Sequence, residues 1–463
     1  MATDISKKLE DMRVFYASGQ TRTYAFRKAQ LGKLKKAVLD YEEELYSALE
    51  ADLKKNAEES WITELGFVTS EISHTLSHLS QWMKKQRVST NLLNFPSSSF
   101  VLHEPKGVVL IIGPWNYPLQ LLFTPLIGAV AAGNCVVLKP SEFAVNTTRV
   151  MEKIIAESFP PEYIMLVTGD GATVVPSMMK AFRFDHVFYT GSTNVGRKVY
   201  ELAANQLVPV TLELGGKSPC VVESDANLKV AARRIAVTKF SNAGQMCVAP
   251  DYLLVQESVK SDFIETLKQT ILQFYSADAS LNYNFGKIIN ERQFDRLISY
   301  LTGATIIHGG KHDRSKLFIE PTLIDVNIKN GIEENPLLKE EIFGPVLPII
   351  SFETFEEAKS LIDRNAHPLA FYVFTSNKKK EERWLASVSF GGGCVNNASW
   401  HLTNPNLPFG GIGNSGVGYY HGKHSFEVFS HHKAIMKTPT WFDPAVKYPP
   451  FKGKLGLFKK IVG

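Results

Sequence analysis

The stretch FSNAGQMCVAPDY, residues 240–252, contains a cysteine in a setting that suits chemistry. Cys247 follows Asn242, Ala243 and Gly244, which favour tight, hydrogen-bonding backbone rather than an apolar core. Small neighbours would let a substrate reach the sulfur and would leave backbone N–H groups free to point at it. The pattern makes Cys247 a candidate nucleophile, and a structural thiol is the alternative until partners are found.

A carboxylate inside an apolar run is the second candidate. In VPVTLELGGKSPCVV, residues 208–222, Glu213 interrupts a segment typical of a buried strand and stands just before Gly215 and Gly216. A buried carboxylate is costly unless it is paired or functional, and a raised pKa would make Glu213 a usable general base. A carboxylate tied to a backbone turn is the alternative interpretation.

Residues after two other apolar runs predict a nucleotide site. HVFYT is followed by GSTNVGRKVYELAAN, in which Gly191 and Gly196 bracket a strand-to-helix turn that suits a pyrophosphate. NCVVLKPSE ends with Lys139 and Glu142, where a carboxylate can accept both hydroxyls of an adenosine ribose. A turn that only packs helix on strand, and a solvated charge pair, are the respective alternatives.

The elements that would position these residues follow from the hydrophobic pattern. Residues 5–88 have helical spacing, and residues 89–105 change to serine, asparagine and β-formers, which predicts an extended arm. From residue 106 onward short apolar runs alternate with helical segments, which predicts a doubly wound α/β domain with a parallel sheet covered on both faces. His74 and His78 lie four residues apart without the carboxylate of a metalloprotease motif, so no metal site is predicted.

Composition limits the partners and the compartment. The chain has 463 residues, is 44% hydrophobic and carries a net charge of +5 without a basic run, so we expect two or three domains and no nucleic-acid partner. Four cysteines without a CxxC pair argue against a zinc site or a disulfide framework. No signal-like or membrane-spanning apolar segment is evident, and we expect a cytoplasmic protein.

Seven short motifs are spread over the chain: PWNYP (114–118), LKPSE (138–142), GSTNVG (191–196), LELGGKSP (212–219), GQMC (244–247), EEIFGP (340–345) and PFGGIGNSG (408–416). They occur in the order seen in aldehyde dehydrogenases, which the sequence resembles over nearly its whole length. The ending YHGKHSFEVFSHH and the short N-terminus resemble in particular the class 3 branch, which includes fatty aldehyde dehydrogenases.

The resemblance implies three parts and a homodimer. A Rossmann-like cofactor domain would comprise residues 1–88 and 106–210. A second α/β domain, the catalytic one, would comprise residues 211–400. Residues 89–105 and 401–463 would form a small oligomerisation arm and the C-terminal tail.

The resemblance also implies a mechanism. Cys247 would attack the aldehyde carbon, while the side-chain amide of Asn116 and the backbone N–H of Cys247 hold the oxyanion. After hydride transfer to the cofactor, Glu213 would activate the water that hydrolyses the thioester to a carboxylic acid. The expected substrates are medium to long aliphatic or aromatic aldehydes, with pocket walls drawn from LLFTPLIG (121–128) and NNASWHLTN (396–404).

The implied cofactor is NAD, with NADP also accepted. Glu341 would bind the nicotinamide ribose and Phe343 would pack beside the ring. Lys139 and Glu142 would hold the adenosine ribose. Near the pyrophosphate we expect Gly191, Ser192 and Gly196. Phe343 as simple core and Ser192 as simple helix cap are the alternatives.

Three other functions remain open at this stage. A cysteine hydrolase or acyltransferase would have no use for the nucleotide motifs. A CoA-acylating dehydrogenase would avoid the hydrolytic base Glu213. A structural protein would have no need of thiol, amide and base together.

The ending KYPPFKGKLGLFKKIVG interleaves apolar residues with lysines, which predicts at most weak peripheral membrane contact, with packing on a partner subunit or disorder as the alternative. Its apolar residues are Phe451, Leu455, Leu457, Phe458, Ile461 and Val462.

Overall fold

The structure is a computed structural model that describes residues 2–327 and 335–462. Its helices, in chain order, are α1 (Ala2–Ala17), α2 (Tyr24–Asp40), α3 (Glu42–Leu53), α4 (Ala57–Ser60), α5 (Gly66–Trp82), α6 (Gln120–Ala132), α7 (Val145–Ser158), α8 (Gly171–Ala181), α9 (Thr193–Ala204), α10 (Leu228–Phe240), α11 (Lys260–Tyr275), α12 (Glu291–Ser299), α13 (Pro336–Lys339), α14 (Phe355–Asp363), α15 (Lys378–Ser387), α16 (Gly422–Val428) and α17 (Leu455–Val462). Its strands are β1 (Gln86–Val88), β2 (Ser98–Pro105), β3 (Val108–Ile112), β4 (Cys135–Lys139), β5 (Ile164–Leu166), β6 (His186–Gly191), β7 (Val210–Leu214), β8 (Pro219–Val222), β9 (Tyr252–Gln256), β10 (Thr305–His308), β11 (His312–Asp313), β12 (Phe318–Ile319), β13 (Thr322–Asp325), β14 (Val346–Phe352), β15 (Ala370–Phe374), β16 (Gly392–Val395), β17 (Gly416–Val417) and β18 (Ser430–Lys437).

The first sheet has the strand order β17-β7-β6-β3-β4-β5 and is parallel except at β17. The short apolar runs predicted after residue 106 begin with GVVLIIG, NCVVLKP, YIMLVTG and HVFYTGS, which form β3 to β6, and β3 and β4 are buried at every residue. Helices α1, α6, α7 and α9 pack against these strands. The α/β fold class with a parallel, Rossmann-like sheet is therefore confirmed.

A second, seven-stranded sheet follows, with the order β10-β13-β14-β9-β8-β15-β16, parallel except at β10. The chain passes from the first sheet to the second between β7 and β8, through Gly215 and Gly216. The strand that holds Glu213 thus pairs with β6 of the first sheet, just beyond the domain limit expected at residue 210. Gly216 packs so closely on the backbone of Leu369 that a side chain there would collide with it.

The predicted arm is an antiparallel sheet of β1, β2 and β18. Strand β2 lies inside the range expected to be extended, while β1 shows that the arm already begins at Gln86. Strand β18 of the C-terminal region pairs with β2 along its whole length, from Ser430 to Lys437. Leu102 of β2 and Met436 of β18 leave apolar side chains exposed.

The N-terminal helices are present as predicted, with Leu31, Leu34 and Leu45 fully buried. Between α4 and α5 the chain does not leave the helix but makes a π-helical turn at Trp61–Leu65. His74 and His78 on α5 lie in an aromatic stack with Trp82. The described residues contain no cluster of three or more potential metal ligands, and none of their helices is both long and apolar enough to cross a bilayer.

Candidate active site

The loop before Cys247 has an unusual backbone. Asn242 and Ala243 both adopt left-handed conformations with φ of 50°, which is costly for residues with a Cβ. Gly244 continues the turn with φ of 74°, and a side chain there would collide with the backbone of Gly344. The thiol therefore follows a strained turn that packs against the EEIFGP segment.

Buried amides hold this turn in place. The side-chain amide of Asn116 donates to the Gln245 carbonyl at 3.0 Å, and Asn242 Nδ2 donates to the Asn116 carbonyl at 2.8 Å. Gln245 Nε2 donates back to the Asn242 carbonyl at 2.9 Å. Glu59 accepts the backbone N–H of Asn242 at 2.8 Å. The structure thus brings the predicted Asn116 to the loop of the predicted nucleophile.

A buried ion pair fixes the segment that carries Asn116. Lys55 donates to Glu64 at 2.8 Å and to the Asn116 carbonyl at 3.0 Å, and both charged side chains are inaccessible to solvent. Glu64 also accepts the backbone N–H groups of Leu119 and Gln120, at the start of α6. Sequence reasoning missed Lys55, Glu59 and Glu64, because they read as ordinary charges on amphipathic helices.

The half-buried Cys247 opens onto a cavity of about 670 Å³. Both segments expected to form the pocket wall contribute to it, Leu121 from the first and Trp400 and Leu402 from the second. The apolar and aromatic lining residues are Ile62, Phe67, Tyr117, Leu121, Val237, Met246, Val248, Phe274, Tyr275, Trp400, Leu402, Phe409 and Tyr420. Such a wall suits an apolar organic molecule whose reacting group points at the thiol.

Glu213 is buried in β7, with 3% of its surface exposed. Neither carboxylate oxygen has a hydrogen-bond partner among the described residues, so the alternative of a carboxylate tied to a turn does not hold there. Burial raises the pKa of Glu213 well above its ordinary value. Burial also raises the pKa of the Cys247 thiol, and the negative charges of Glu341 and Glu213 raise it further.

Glu341 and Phe343 lie at the same junction. Glu341 packs so tightly on Gly215 that a side chain at that glycine would collide with the carboxylate. Burial and the nearby Asp251 raise the pKa of Glu341 to about 8, while Lys217 opposes the shift. Phe343 has φ of 50° and meets the ring of Trp115 edge to face at 5.4 Å, half-buried rather than in the core.

A second buried ion pair supports the Glu341 segment and was also missed from the sequence. Lys217 pairs with Asp251, and Asp251 accepts the backbone N–H of Ile342 at 2.9 Å. Arg296 donates to the Ile342 carbonyl at 2.8 Å. Because Lys217 and Asp251 each flank an apolar run, charges next to buried strands were the signal that could have revealed them.

The predicted nucleotide residues lie at the carboxyl ends of β4 and β6. Lys139 is 1% exposed and donates to Glu142 at 3.3 Å, so the pair is not simply solvated. Ser192 Oγ accepts the Val195 N–H at 3.5 Å, which makes Ser192 the N-cap of α9. Side chains at Gly191 and Gly196 would collide with Tyr189 and Leu214, so these glycines do pack helix on strand.

These residues fit a nicotinamide dinucleotide. Gly171, at the start of α8, faces the Glu142 carboxylate, and an added Cβ would lie 3.5 Å from its oxygen. The Glu142 side chain keeps about a third of its surface exposed beside the buried Lys139. The α9 N-terminus presents backbone N–H groups at the same sheet edge, where a pyrophosphate is favoured.

Two largely parallel sheets meet beside a buried carboxylate and a thiol that faces an apolar cavity, an arrangement typical of enzymes that act on an apolar substrate next to a nucleotide-binding sheet. Residues 2–435 match the aldehyde dehydrogenase family. The chain belongs to this family and oxidises aldehydes with a nicotinamide cofactor.

Individual relatives cover almost the whole chain. The 4,4'-diaponeurosporen-aldehyde dehydrogenase of Staphylococcus aureus is 44% identical over 98% of each sequence. The dimeric NADP-preferring aldehyde dehydrogenase of Rattus norvegicus is 41% identical over 98% of this chain and 99% of its own. The solved substrate-bound state of the Staphylococcus aureus AldH superposes with a TM-score of 0.96, at 44% identity and 99% coverage of both chains.

Proposed function

We propose that this enzyme converts medium to long aliphatic or aromatic aldehydes to carboxylic acids through a thiohemiacetal and then a thioester on Cys247. The observation that carries the proposal is a thiol at an apolar cavity of about 670 Å³ with a buried carboxylate acting on its pKa, a carboxylate without a hydrogen-bond partner in the part of the chain that the structure describes. The relative named for 4,4'-diaponeurosporen-aldehyde supports an apolar substrate.

The chain's own groups divide the work into two stages. Cys247, after losing its proton, attacks the aldehyde carbon, and the oxyanion is held by the Cys247 N–H and by the Asn116 amide, which has a second N–H besides the one bound to Gln245. Glu213 then takes a proton from the water that attacks the thioester, releasing the acid and the thiol. When bound, the nicotinamide supplies the hydride acceptor between these stages.

Residues at both sheets bind the cofactor in this proposal. Glu341 holds the nicotinamide ribose and Phe343 borders the ring, while Lys139 and Glu142 hold the adenosine ribose. Gly191, Ser192 and Gly196 lie along the pyrophosphate at the N-terminus of α9, where Ser192 Oγ already accepts the Val195 N–H and the N–H groups of Thr193 and Asn194 would face the phosphates.

We also propose that the chain has three parts. Residues 1–88 and 106–210 bind the cofactor, and residues 211–400 carry the thiol. Residues 89–105 and 401–463 form the oligomerisation arm and the tail. A homodimer through the arm is supported by a relative named as dimeric at 41% identity and by the exposed apolar side chains of Leu102 and Met436. Size-exclusion chromatography with light scattering measures this directly, and a monomer at micromolar concentration would contradict it.

The experiment that tests the reaction follows reduced cofactor by absorbance with NAD or NADP and a panel of aldehydes, with and without CoA. We expect CoA-independent turnover and a free carboxylic acid as product. Turnover that requires CoA, or acyl transfer without cofactor reduction, would replace the proposal with one of its alternatives. A Cys247→Ala variant shows whether the measured activity depends on the thiol.

A further inference from the structure

The charged side chains that line the cavity at Cys247 are acidic among the described residues. Its ionisable lining groups include two carboxylates, Glu58 and Glu59, and among the residues that the structure describes no lysine or arginine lines it. His421 also lines the wall, but burial lowers its pKa to about 3, so it adds no positive charge at neutral pH. A substrate that enters therefore meets negative charge without a compensating cation on the wall.

Lys55, a cation that contacts the wall residue Tyr117, is already paired with a carboxylate. Lys55 is 1% exposed, with its ammonium 2.8 Å from Glu64 and 3.8 Å from the centroid of the Tyr117 ring. Lys55 thus interacts electrostatically with two carboxylates, Glu64 and Glu59, and for each of them it opposes the rise in pKa that burial causes. Glu64 forms the direct ion pair with Lys55, and Glu59 is the one of these two carboxylates that lines the cavity.

Glu59 is held in a fixed position relative to the nucleophile loop. It accepts the backbone N–H of Asn242 at 2.8 Å, and Asn242 is tied in turn to Asn116. Burial raises the pKa of Glu59, while Lys55 and the Asn242 N–H oppose the shift. When the side chain is ionised, it places a negative charge on a largely apolar wall, where like charges repel more strongly than in water.

We propose that Glu59 makes this cavity select against aldehydes that carry a second negative charge, so that the enzyme's substrates are neutral or cationic aldehydes. The proposal rests on the proposed oxidation of aldehydes at Cys247 and assigns a specificity role to a residue outside the reacting groups. Rejection by a repulsive group on the wall is an established way to obtain selectivity without new attractive contacts.

The test compares two aldehydes of nearly identical shape, neutral 4-formylbenzamide and anionic 4-formylbenzoate, at alkaline pH. We expect the wild-type enzyme to favour the amide by at least about tenfold in kcat/KM. Glu59→Gln should reduce that preference by at least about fivefold, because glutamine keeps an acceptor for the Asn242 N–H but has no charge. Using the ratio of two substrates cancels any general effect of the substitution on the loop.

Two further variants complete the experiment. Glu58→Gln removes the same charge from an exposed residue that bonds the Tyr283 hydroxyl at 2.7 Å, and we expect it to change the ratio by less than about twofold. Ile62→Lys, at an exposed wall residue, adds a cation and should raise the relative kcat/KM of the benzoate even if Glu59→Gln fails to fold.

The outcomes separate this proposal from the proposed function. Equal constants for the two aldehydes in the wild type, or a preference that survives Glu59→Gln, would overturn the charge selection while leaving aldehyde oxidation intact. Failure to oxidise the amide and every other neutral aldehyde of the panel would instead count against the oxidation itself.

Discussion

Cys247 and Glu213 have different environments, and the difference predicts separate defects when each is replaced. Cys247→Ala should lower aldehyde oxidation by at least about a thousandfold while leaving cofactor affinity nearly intact, because the thiol is required for every bond-making step. Cofactor binding is measured by titration of intrinsic fluorescence, and oxidation by absorbance. A variant that keeps substantial activity would show that another group is the nucleophile.

Glu213→Gln should stop the reaction after its first stage. The variant is expected to form the thioester and release at most one equivalent of reduced cofactor per active site, with steady-state turnover at least about a hundredfold lower. Rapid mixing measures the burst. If Glu213 also deprotonates Cys247, the burst itself is suppressed in the variant. If Glu213→Gln instead turns over at the wild-type steady-state rate, Glu213 is not the base, and Glu341 becomes the next candidate to test.

The raised pKa of Glu213 also predicts a pH dependence. A carboxyl whose pKa lies above its ordinary value is ionised only as pH rises through that higher pKa, so thioester hydrolysis should increase with pH and be lost as pH falls. Acid-quenched single-turnover measurements report this rate. The rising limb should vanish in Glu213→Gln, and its persistence there would assign it to another group.

Glu142 predicts a limited choice between cofactors. Its carboxylate repels a 2'-phosphate, but Lys139 at 3.3 Å offsets that repulsion, so a modest preference for NAD is expected. The preference is measured as the ratio of kcat/KM for NAD and NADP. A much higher value for NADP, as the name of the rat relative would suggest, would show that Glu142 does not hold the ribose.

At the scale of elements, the sequence was informative where the pattern is local. Buried parallel strands are continuous apolar runs, so β3 to β6 were predictable, and so was β7, the strand that contains Glu213. The arm was predictable from its β-formers, but not its pairing with β18 of the distant C-terminal region. That contact is between residues more than three hundred positions apart, and no local pattern encodes it.

The π turn at Trp61–Leu65 explains why part of the site was missed. In a regular α-helix, side chains five residues apart, such as Glu59 and Glu64, point in clearly different directions. A π turn has hydrogen bonds between residues five apart, and it therefore brings such side chains closer to the same face of the helix. Both carboxylates can then face Lys55 and the segments they hold. Nothing in the residue types of NAEESWITELG distinguishes that turn from an ordinary helix.

The Lys55–Glu64 pair predicts a large effect on stability. Glu64→Gln leaves a buried lysine without its partner charge, and we expect the free energy of unfolding to fall by about 3–5 kcal/mol. Chemical denaturation measures the loss. Glu44→Gln is the matched control, since its pair with Lys153 is exposed and is worth no more than about 1 kcal/mol. Equal losses would contradict the role of the buried pair.

At the scale of the whole molecule, the residues after Pro449 leave several apolar side chains exposed. Phe451, Leu455 and Leu457 are exposed beside Lys452, while the side chains of Ile461 and Val462 from the same predicted patch lie outside the described residues. We predict weak, salt-sensitive binding to anionic vesicles that is lost in a protein ending at Pro449. Co-sedimentation at low salt measures it, and identical behaviour of both proteins would leave packing on a partner subunit or disorder as the explanation.

Lys55, Glu59 and Glu64 have a consequence for how the molecule can be divided. They come from the first 65 residues, yet they form hydrogen bonds with Asn116, Asn242 and the first turn of α6, which lie far along the chain. A shortened gene that starts at the first apolar strand would encode both sheets and still lack the groups that shape the nucleophile loop. The enzyme's smallest working version therefore includes its N-terminal helices, and attempts to reconstitute activity from separately expressed halves must supply them with the rest.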